Sequence, residues 1–97
     1  MGLGLADRKE LEALLKAAAR DPKVATGLAG RMVPGQGDVE DFAYGLLSGM
    51  VIGSFMSSFE KRNGRQPDRD ETADVLSIAM ARMPALRKAV MKQLDMR

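Results

Sequence analysis

Residues 42–59 are the longest stretch of this chain without a charged side chain, and they restrict its fold more than any other segment. The eighteen residues read FAYGLLSGMVIGSFMSSF and carry Gly45, Gly49, Gly53 and Ser57 at a constant spacing of four. On a helix turning about 100° per residue, this spacing puts small residues on one side and bulky apolar residues on the other. A helix that is apolar all round is either the core helix of a globular domain or a membrane span.

Capping signals extend this helix beyond both ends of the apolar stretch. An aspartate with acidic neighbours suits a helix N-terminus, where the macrodipole favours anions, and basic residues before Asn-Gly suit a C-terminus with a left-handed stop. These residues are Asp38, Glu40 and Asp41 at the start, and Lys61, Arg62, Asn63 and Gly64 at the end. The sequence therefore predicts one long helix over about residues 39–62.

Two helices are predicted before the long one. Asp7 and Glu10 have the spacing of a capping box at the start of a helix over residues 8–20. Its apolar stripe consists of Leu11, Leu14, Leu15, Ala18 and Ala19. Asp21 and Pro22 suit the start of a second helix, because proline fits the first helical position. Its apolar face consists of Val24, Ala25, Leu28 and Met32, and residues 33–37 form a loop by composition.

Two more helices are predicted after it. Asp68 and Glu71 form a second capping box. The apolar residues that follow at helical spacing are Ala73, Leu76, Ala79, Met80 and Met83, and those after Pro84 are Leu86, Ala89, Val90 and Leu94. Pro84 is expected to end or kink the first of these helices at Met83, because proline has no amide to donate. The predicted fold is all-α: a single domain over residues 1–97, with about five helices bundled around a glycine-striped central helix.

The composition excludes most catalytic chemistry. The chain has neither histidine nor cysteine, so it can build no Ser-His-Asp or Cys-His site, no disulfide and no zinc site of the usual ligands. The two acidic clusters lie at predicted helix N-termini and are interpreted as caps. We therefore expect a non-enzyme with no metal and no cofactor. The absence of cysteine and of a signal peptide in MGLGLADRKE favours a cytoplasmic protein.

Self-association is the contact that the sequence predicts best. A chain of 97 residues buries only about 60–65% of its unfolded surface, so four short helices are expected to cover the central helix incompletely. The small-residue stripe of Gly45, Gly49, Gly53 and Ser57 would let a second copy approach closely. The alternative is that the stripe receives a helix of the same chain. The leading hypothesis is a homo-oligomeric adaptor or accessory protein acting through an unidentified protein partner.

Two other functions are carried as alternatives. The chain has uneven charge: −4 over residues 38–60 and +4 over residues 61–97. The basic residues Arg82, Arg87, Lys88 and Lys92 suit contact with the phosphates of a nucleic acid. An acidic middle and a basic tail can also attract each other within or between chains. The second alternative is a membrane-inserted glycine-zipper protein, which the short apolar length and the absence of tryptophan disfavour.

Overall fold

A computed structural model describes residues 2–33 and 38–96, and these residues contain four α-helices and no strand. The helices are α1 (Leu5–Arg20), α2 (Lys23–Met32), α3 (Val39–Asn63) and α4 (Arg69–Asp95). The all-α class is confirmed, and α3 has nearly the bounds predicted for the long helix. Most of the predicted loop over residues 33–37 lies outside the described residues.

The prediction of about five helices was wrong, because the last two are one helix. Pro84 lies inside α4 and does not end it. A proline in a helix interior removes the bond that its amide would donate to the carbonyl of Met80. Core contacts on both sides of Pro84 offset this cost: Val75 and Ala79 are buried before it, and Leu86 and Val90 after it.

The caps of α3 and α4 are confirmed. The Asp38 carboxylate accepts from the backbone N–H of Asp41 at 3.0 Å. Asp68 accepts from the N–H of Glu71 at 2.8 Å, and Glu71 accepts in return from the N–H of Asp68 at 2.9 Å. At the end of α3, Gly64 adopts the left-handed conformation with φ 69°. These local signals fix where the two long helices begin and where α3 ends.

The predicted caps of the first two helices are corrected. α1 begins at Leu5 with Gly4 as its N-cap, so Asp7 and Glu10 lie inside the helix and make no capping box. The segment before α1 is attached to α4, because Leu3 is buried and its N–H donates to Asp74 Oδ2 at 2.8 Å. At α2 the N-cap is Pro22, one residue later than expected.

The helix faces predicted for α2 and the first half of α4 are also corrected. In α2 the buried residues are Ala25, Thr26 and Ala29, whereas Val24, Leu28 and Met32 are exposed. In α4 the core takes Val75 and Ala79, whereas Leu76 and Met80 are exposed. Small side chains allow α2 to lie close to α3, which turns its larger apolar residues outward.

The two long helices form an antiparallel hairpin. The last turn of α3 and the first turn of α4 adjoin the short connector after Gly64, and Arg87 near the end of α4 reaches Glu40 at the start of α3. α1 and α2 each contact both long helices, and within the described residues they do not contact each other. Two short helices therefore cover the hairpin, and the longest extent of the molecule is 44 Å.

Candidate interaction surface

The small-residue stripe of α3 is on the outside of the domain. Gly45, Gly49, Gly53 and Ser57 are all exposed. A Cβ atom placed on any of the three glycines would meet nothing within 4 Å. The alternative in which this stripe receives a helix of the same chain is therefore wrong for the described residues.

The opposite side of α3 forms the core. Its buried residues are Ala43, Leu47, Val51, Phe55 and Phe59. The rings of Phe55 and Phe59 lie 6.1 Å apart and are tilted by 46°, within the range of favourable aromatic pairs. α3 thus turns its bulky residues toward its own domain and its glycines toward solvent.

A row of larger apolar residues accompanies the stripe. Phe42 and Met50 are 38% and 40% exposed, and Leu46 between them is half-buried. Because Phe42, Leu46 and Met50 are also four residues apart, they form a ridge beside the glycine groove. By length and composition, α3 would suffice to cross a membrane: its most apolar window of eighteen residues has a mean hydropathy of 1.4, and 28% of that window is buried.

The chain exposes more surface than a compact domain of its mass. Its accessible surface is 6249 Å², against about 5,400 Å² for a typical monomer of 10.5 kDa. Its radius of gyration is 14.4 Å, against about 12.5 Å for a compact domain of this length. The excess of roughly 800 Å² goes with an elongated shape, whose extents are 44 × 20 × 18 Å.

The four basic residues predicted to contact an anion do not form one free patch. Arg82 pairs with Glu12 of α1, and Arg87 pairs with Asp41 and, at 2.9 Å, with Glu40 of α3. The hydrogen bond from Arg82 lowers the pKa of Glu12, and the guanidinium charge adds to this effect. Lys88 and Lys92 are exposed. Half of the predicted patch is therefore engaged within the chain.

Arg87 is held on α3 by an aromatic ring as well as by carboxylates. Its guanidinium carbon lies 5.1 Å from the centre of the Tyr44 ring, within the distance of a cation–π contact. The two carboxylates belong to the first turn of α3, beside the Asp38 cap. The pKa of Asp38 is lowered, mainly because its carboxylate accepts from the backbone N–H of Asp41. The acidic start of α3 therefore meets the basic end of α4, as the charge pattern allowed.

A second ionic contact joins α1 to the end of α3. Arg62 pairs with Asp7 and with Glu10 Oε2 at 2.6 Å, and the Ser58 hydroxyl donates to Glu10 Oε1 at 2.7 Å. Partial desolvation raises the pKa of Glu10, but the hydrogen bonds and charge of Ser58 and Arg62 outweigh it, so the pKa is lowered. Asp7 and Glu10 thus connect α1 to α3, whereas their spacing had predicted a capping box.

The best-shielded carboxylate lies at the hairpin turn. Glu71 is only 7% exposed and accepts from Arg65 Nη1 at 2.7 Å. The hydrogen bond from Arg65 and the backbone N–H of Asp68 lower the pKa of Glu71 to about 2. Arg65 also lies over the ring of Phe59, 5.4 Å from its centre. This cluster stabilises the connector between α3 and α4 and includes no residue of the small-residue stripe.

An open groove of about 440 Å³ runs between α3 and α4. It is lined by Tyr44, Met80, Met83, Pro84 and Arg87. Helical periodicity assigned Met80 to the core, so the groove was not predicted. The one signal for it was Pro84, since a proline disturbs packing where it interrupts a helix. Among the described residues, no group of three or more acidic side chains lies close enough to hold a metal ion.

The fold and this surface define a small all-α domain with an uncovered apolar helix face. No protein-family model, curated protein or solved structure matches the chain.

Proposed function

We propose that this chain is a non-enzymatic protein that self-associates through the exposed face of α3 and acts by protein–protein contact. The proposal includes a homo-oligomer with the stripe of Gly45, Gly49, Gly53 and Ser57 at its centre, in the manner of a glycine zipper. The cytoplasmic location expected from the sequence stays a prediction.

The observation that carries the proposal is the open space beside the three glycines. Each glycine in a helix interior costs about 0.5–1 kcal/mol relative to alanine, because the unfolded chain loses more freedom on folding. No contact within the described residues uses the space that the missing side chains leave. A close approach from outside the chain would use it.

Nucleic-acid binding is supported less well. Phosphate contacts need cations that are available to the backbone of the nucleic acid. Arg82 and Arg87 are engaged by Glu12 and by Glu40 and Asp41, so binding would have to break these pairs. Lys88 and Lys92 are the exposed cations of the predicted patch. Two lysines supply a weak, strongly salt-dependent attraction.

Insertion of α3 into a membrane is also supported less well. The Arg62 cluster with Asp7 and Glu10 lies across the last turn of α3, and Arg87 lies across its first turns. The helix face between them packs against α1, α2 and α4, which carry many charges. Insertion would bring those charges into lipid or strip the packed helices away, and charges within a bilayer are costly.

The test is the mass of the protein in solution, measured by sedimentation equilibrium from micromolar to millimolar concentration. We expect the wild-type chain to exceed its monomer mass of 10.5 kDa as concentration rises, without detergent. Gly49→Leu should stay monomeric and helical over the same range, because the added side chain occupies the contact without meeting its own domain. Far-UV circular dichroism checks the helix content.

Gly27→Leu is the matched control. Gly27 is also an exposed helical glycine with nothing within 4 Å of an added Cβ, but it lies in α2. Its substitution should leave the mass unchanged. A wild-type chain that is monomeric at millimolar concentration would refute the proposal. So would a folded Gly49→Leu variant with the mass of wild type. Retention on DNA at physiological salt, lost on changing Lys88 and Lys92 to Ala, would favour the nucleic-acid alternative.

A further inference from the structure

We infer that the outward side of α1, continued by the end of α4, binds the phosphate backbone of a nucleic-acid duplex. This surface, here named the basic face, consists of five exposed cations: Lys9, Lys16 and Arg20 on α1, and Lys88 and Lys92 on α4. The inference goes beyond the proposed self-association and does not rest on it, because the basic face shares no residue with the exposed stripe of α3.

The three cations of α1 form a row on the side turned away from the domain. Their spacing of seven and four residues keeps Lys9, Lys16 and Arg20 within about 40° of one another around the helix. Leu11 and Leu15, which are fully buried, lie on the opposite side of α1. From position 9 to position 20 the row is about 16 Å long, at 1.5 Å per residue.

The fold places the free half of the predicted α4 patch beside this row. α1 packs against α4, and Arg20 of α1 and Lys92 of α4 line one cavity of about 280 Å³. Lys88 lies one turn before Lys92 and is also exposed. Cations from two helices that are distant in sequence thus form one surface, which the pattern of α4 alone did not predict.

The basic face is available to an external anion. None of its five cations takes part in an ion pair among the described residues. Between α1 and α4, Glu12 is already paired with Arg82, and Asp74 with Arg8. Two exposed acids adjoin the face, Asp21 and Asp95. Five cations against two acids leave an excess of three positive charges.

The residues between the cations favour a phosphate backbone over other anionic partners. Between Lys9 and Arg20, the exposed residues other than Lys16 are Ala13 and Ala17. Protein interfaces are anchored by aromatic and other large side chains, single strands by stacking on aromatic rings, and membrane surfaces by inserted apolar residues. Alanines provide none of these anchors. A surface that binds by charge alone suits a duplex, which carries one negative charge per about 1.7 Å of its axis.

The test is the binding of a short fluorescent DNA duplex, measured by anisotropy between about 50 and 200 mM salt. Each phosphate contact contributes about −0.9 to the slope of log affinity against log salt, so five contacts give about −4.5 and a loss of about 500-fold over this range. Changing Lys9, Lys16 and Arg20 to Ala should leave a slope of about −1.8. Changing Lys88 and Lys92 to Ala should leave about −2.7.

The matched control changes Arg31, Lys61 and Arg69 to Ala. These three are also exposed and outside every ion pair among the described residues, but they lie outside the basic face. Both triple variants lower the net charge by three, from +2 to −1. The control should keep the wild-type slope, and circular dichroism should show unchanged helix content, because alanine is the best helix former.

Three results would overturn the inference. The first is an equal loss in both triple variants, because binding would then follow net charge alone. The second is the absence of duplex binding at the lowest salt. The third is binding to phosphatidylserine vesicles without binding to the duplex, which would assign the face to a membrane surface. The Gly49→Leu chain should lose duplex binding with the same substitutions, so failure of self-association and failure of this inference are distinguishable.

Discussion

Replacing the three exposed glycines of α3 by alanine should stabilise the monomer and weaken the oligomer. Gly45, Gly49 and Gly53 lie in the helix interior, and an added Cβ would meet nothing within 4 Å at any of them. The change therefore introduces no clash within the chain. Each substitution should contribute about 0.5–1 kcal/mol of helix stability. The triple variant should gain about 1.5–3 kcal/mol in the free energy of unfolding.

The assay is urea unfolding followed by far-UV circular dichroism at concentrations where the chain is monomeric. The midpoint should rise while the slope of the free energy against urea stays constant. Thermal melts should shift upward by about 6 °C or more, since 1 kcal/mol corresponds to about 4–8 °C in a domain of this size. Gly27→Ala in α2 is the matched control and should give about a third of the gain.

Concentration separates the two effects. A folded oligomer stabilises the native state by mass action, so the wild-type midpoint should rise with protein concentration. The triple variant should show a weaker rise, because its added methyl groups keep the two helices apart. A triple variant that is less stable than wild type as a monomer would refute the reasoning, since the space beside the glycines would then be occupied within the chain.

Three further predictions concern contacts and backbone structure within the domain. Glu71 has a folded pKa of about 2 against an ordinary value of 4.5, so its stabilising contribution is complete above about pH 5 and is lost as pH falls from 4.5 toward 2. Urea midpoints should therefore drop across this window in wild type and less steeply in Glu71→Gln; equal acid dependence in both would contradict the assignment. Pro84→Ala should raise the free energy of unfolding by about 1–3 kcal/mol, because it restores an amide donor within a continuous helix; chemical denaturation measures this, and a loss of stability would mean that α4 depends on the proline itself. Arg87→Ala should lower the urea midpoint through the loss of its ion pairs and its contact with Tyr44, whereas Lys88→Ala should change it little; equal effects would argue against a role for Arg87 in holding α4 to α3.

The sequence predicted the long helices better than the way they pack. Caps are local, so Asp38, Gly64 and the pair of Asp68 and Glu71 could be recognised from a few residues each. The prediction at Pro84 was wrong because the destabilising effect of a proline can be recognised from the local sequence. The contacts that offset it come from buried residues on both sides of Pro84, and these depend on the tertiary fold.

Helix faces were harder to predict where large and small apolar residues compete. In α2, periodicity favoured Val24, Ala25, Leu28 and Met32; the core took Ala25 of these, together with Ala29, and left the three larger residues exposed. The small buried side chains let α2 lie close to α3, and this contact is not encoded in the sequence of α2 alone. The capping box predicted for Asp7 and Glu10 was wrong for a related reason. Their spacing matched a cap, but both side chains pair with Arg62, which is distant in sequence. The glycine row could be predicted as a feature, but its exposure depended on where α1 and α2 came to lie.

The glycine groove of α3 has a consequence for how the sequence is expected to drift. For an isolated domain, almost any change from glycine to alanine at positions 45, 49 and 53 would be an improvement, so random mutation alone would tend to erase the groove. A lineage that depends on the second helix would instead reject alanine or larger residues there while accepting them freely at Gly27. Related sequences would then keep small residues at these three positions, although larger residues there would stabilise the monomer.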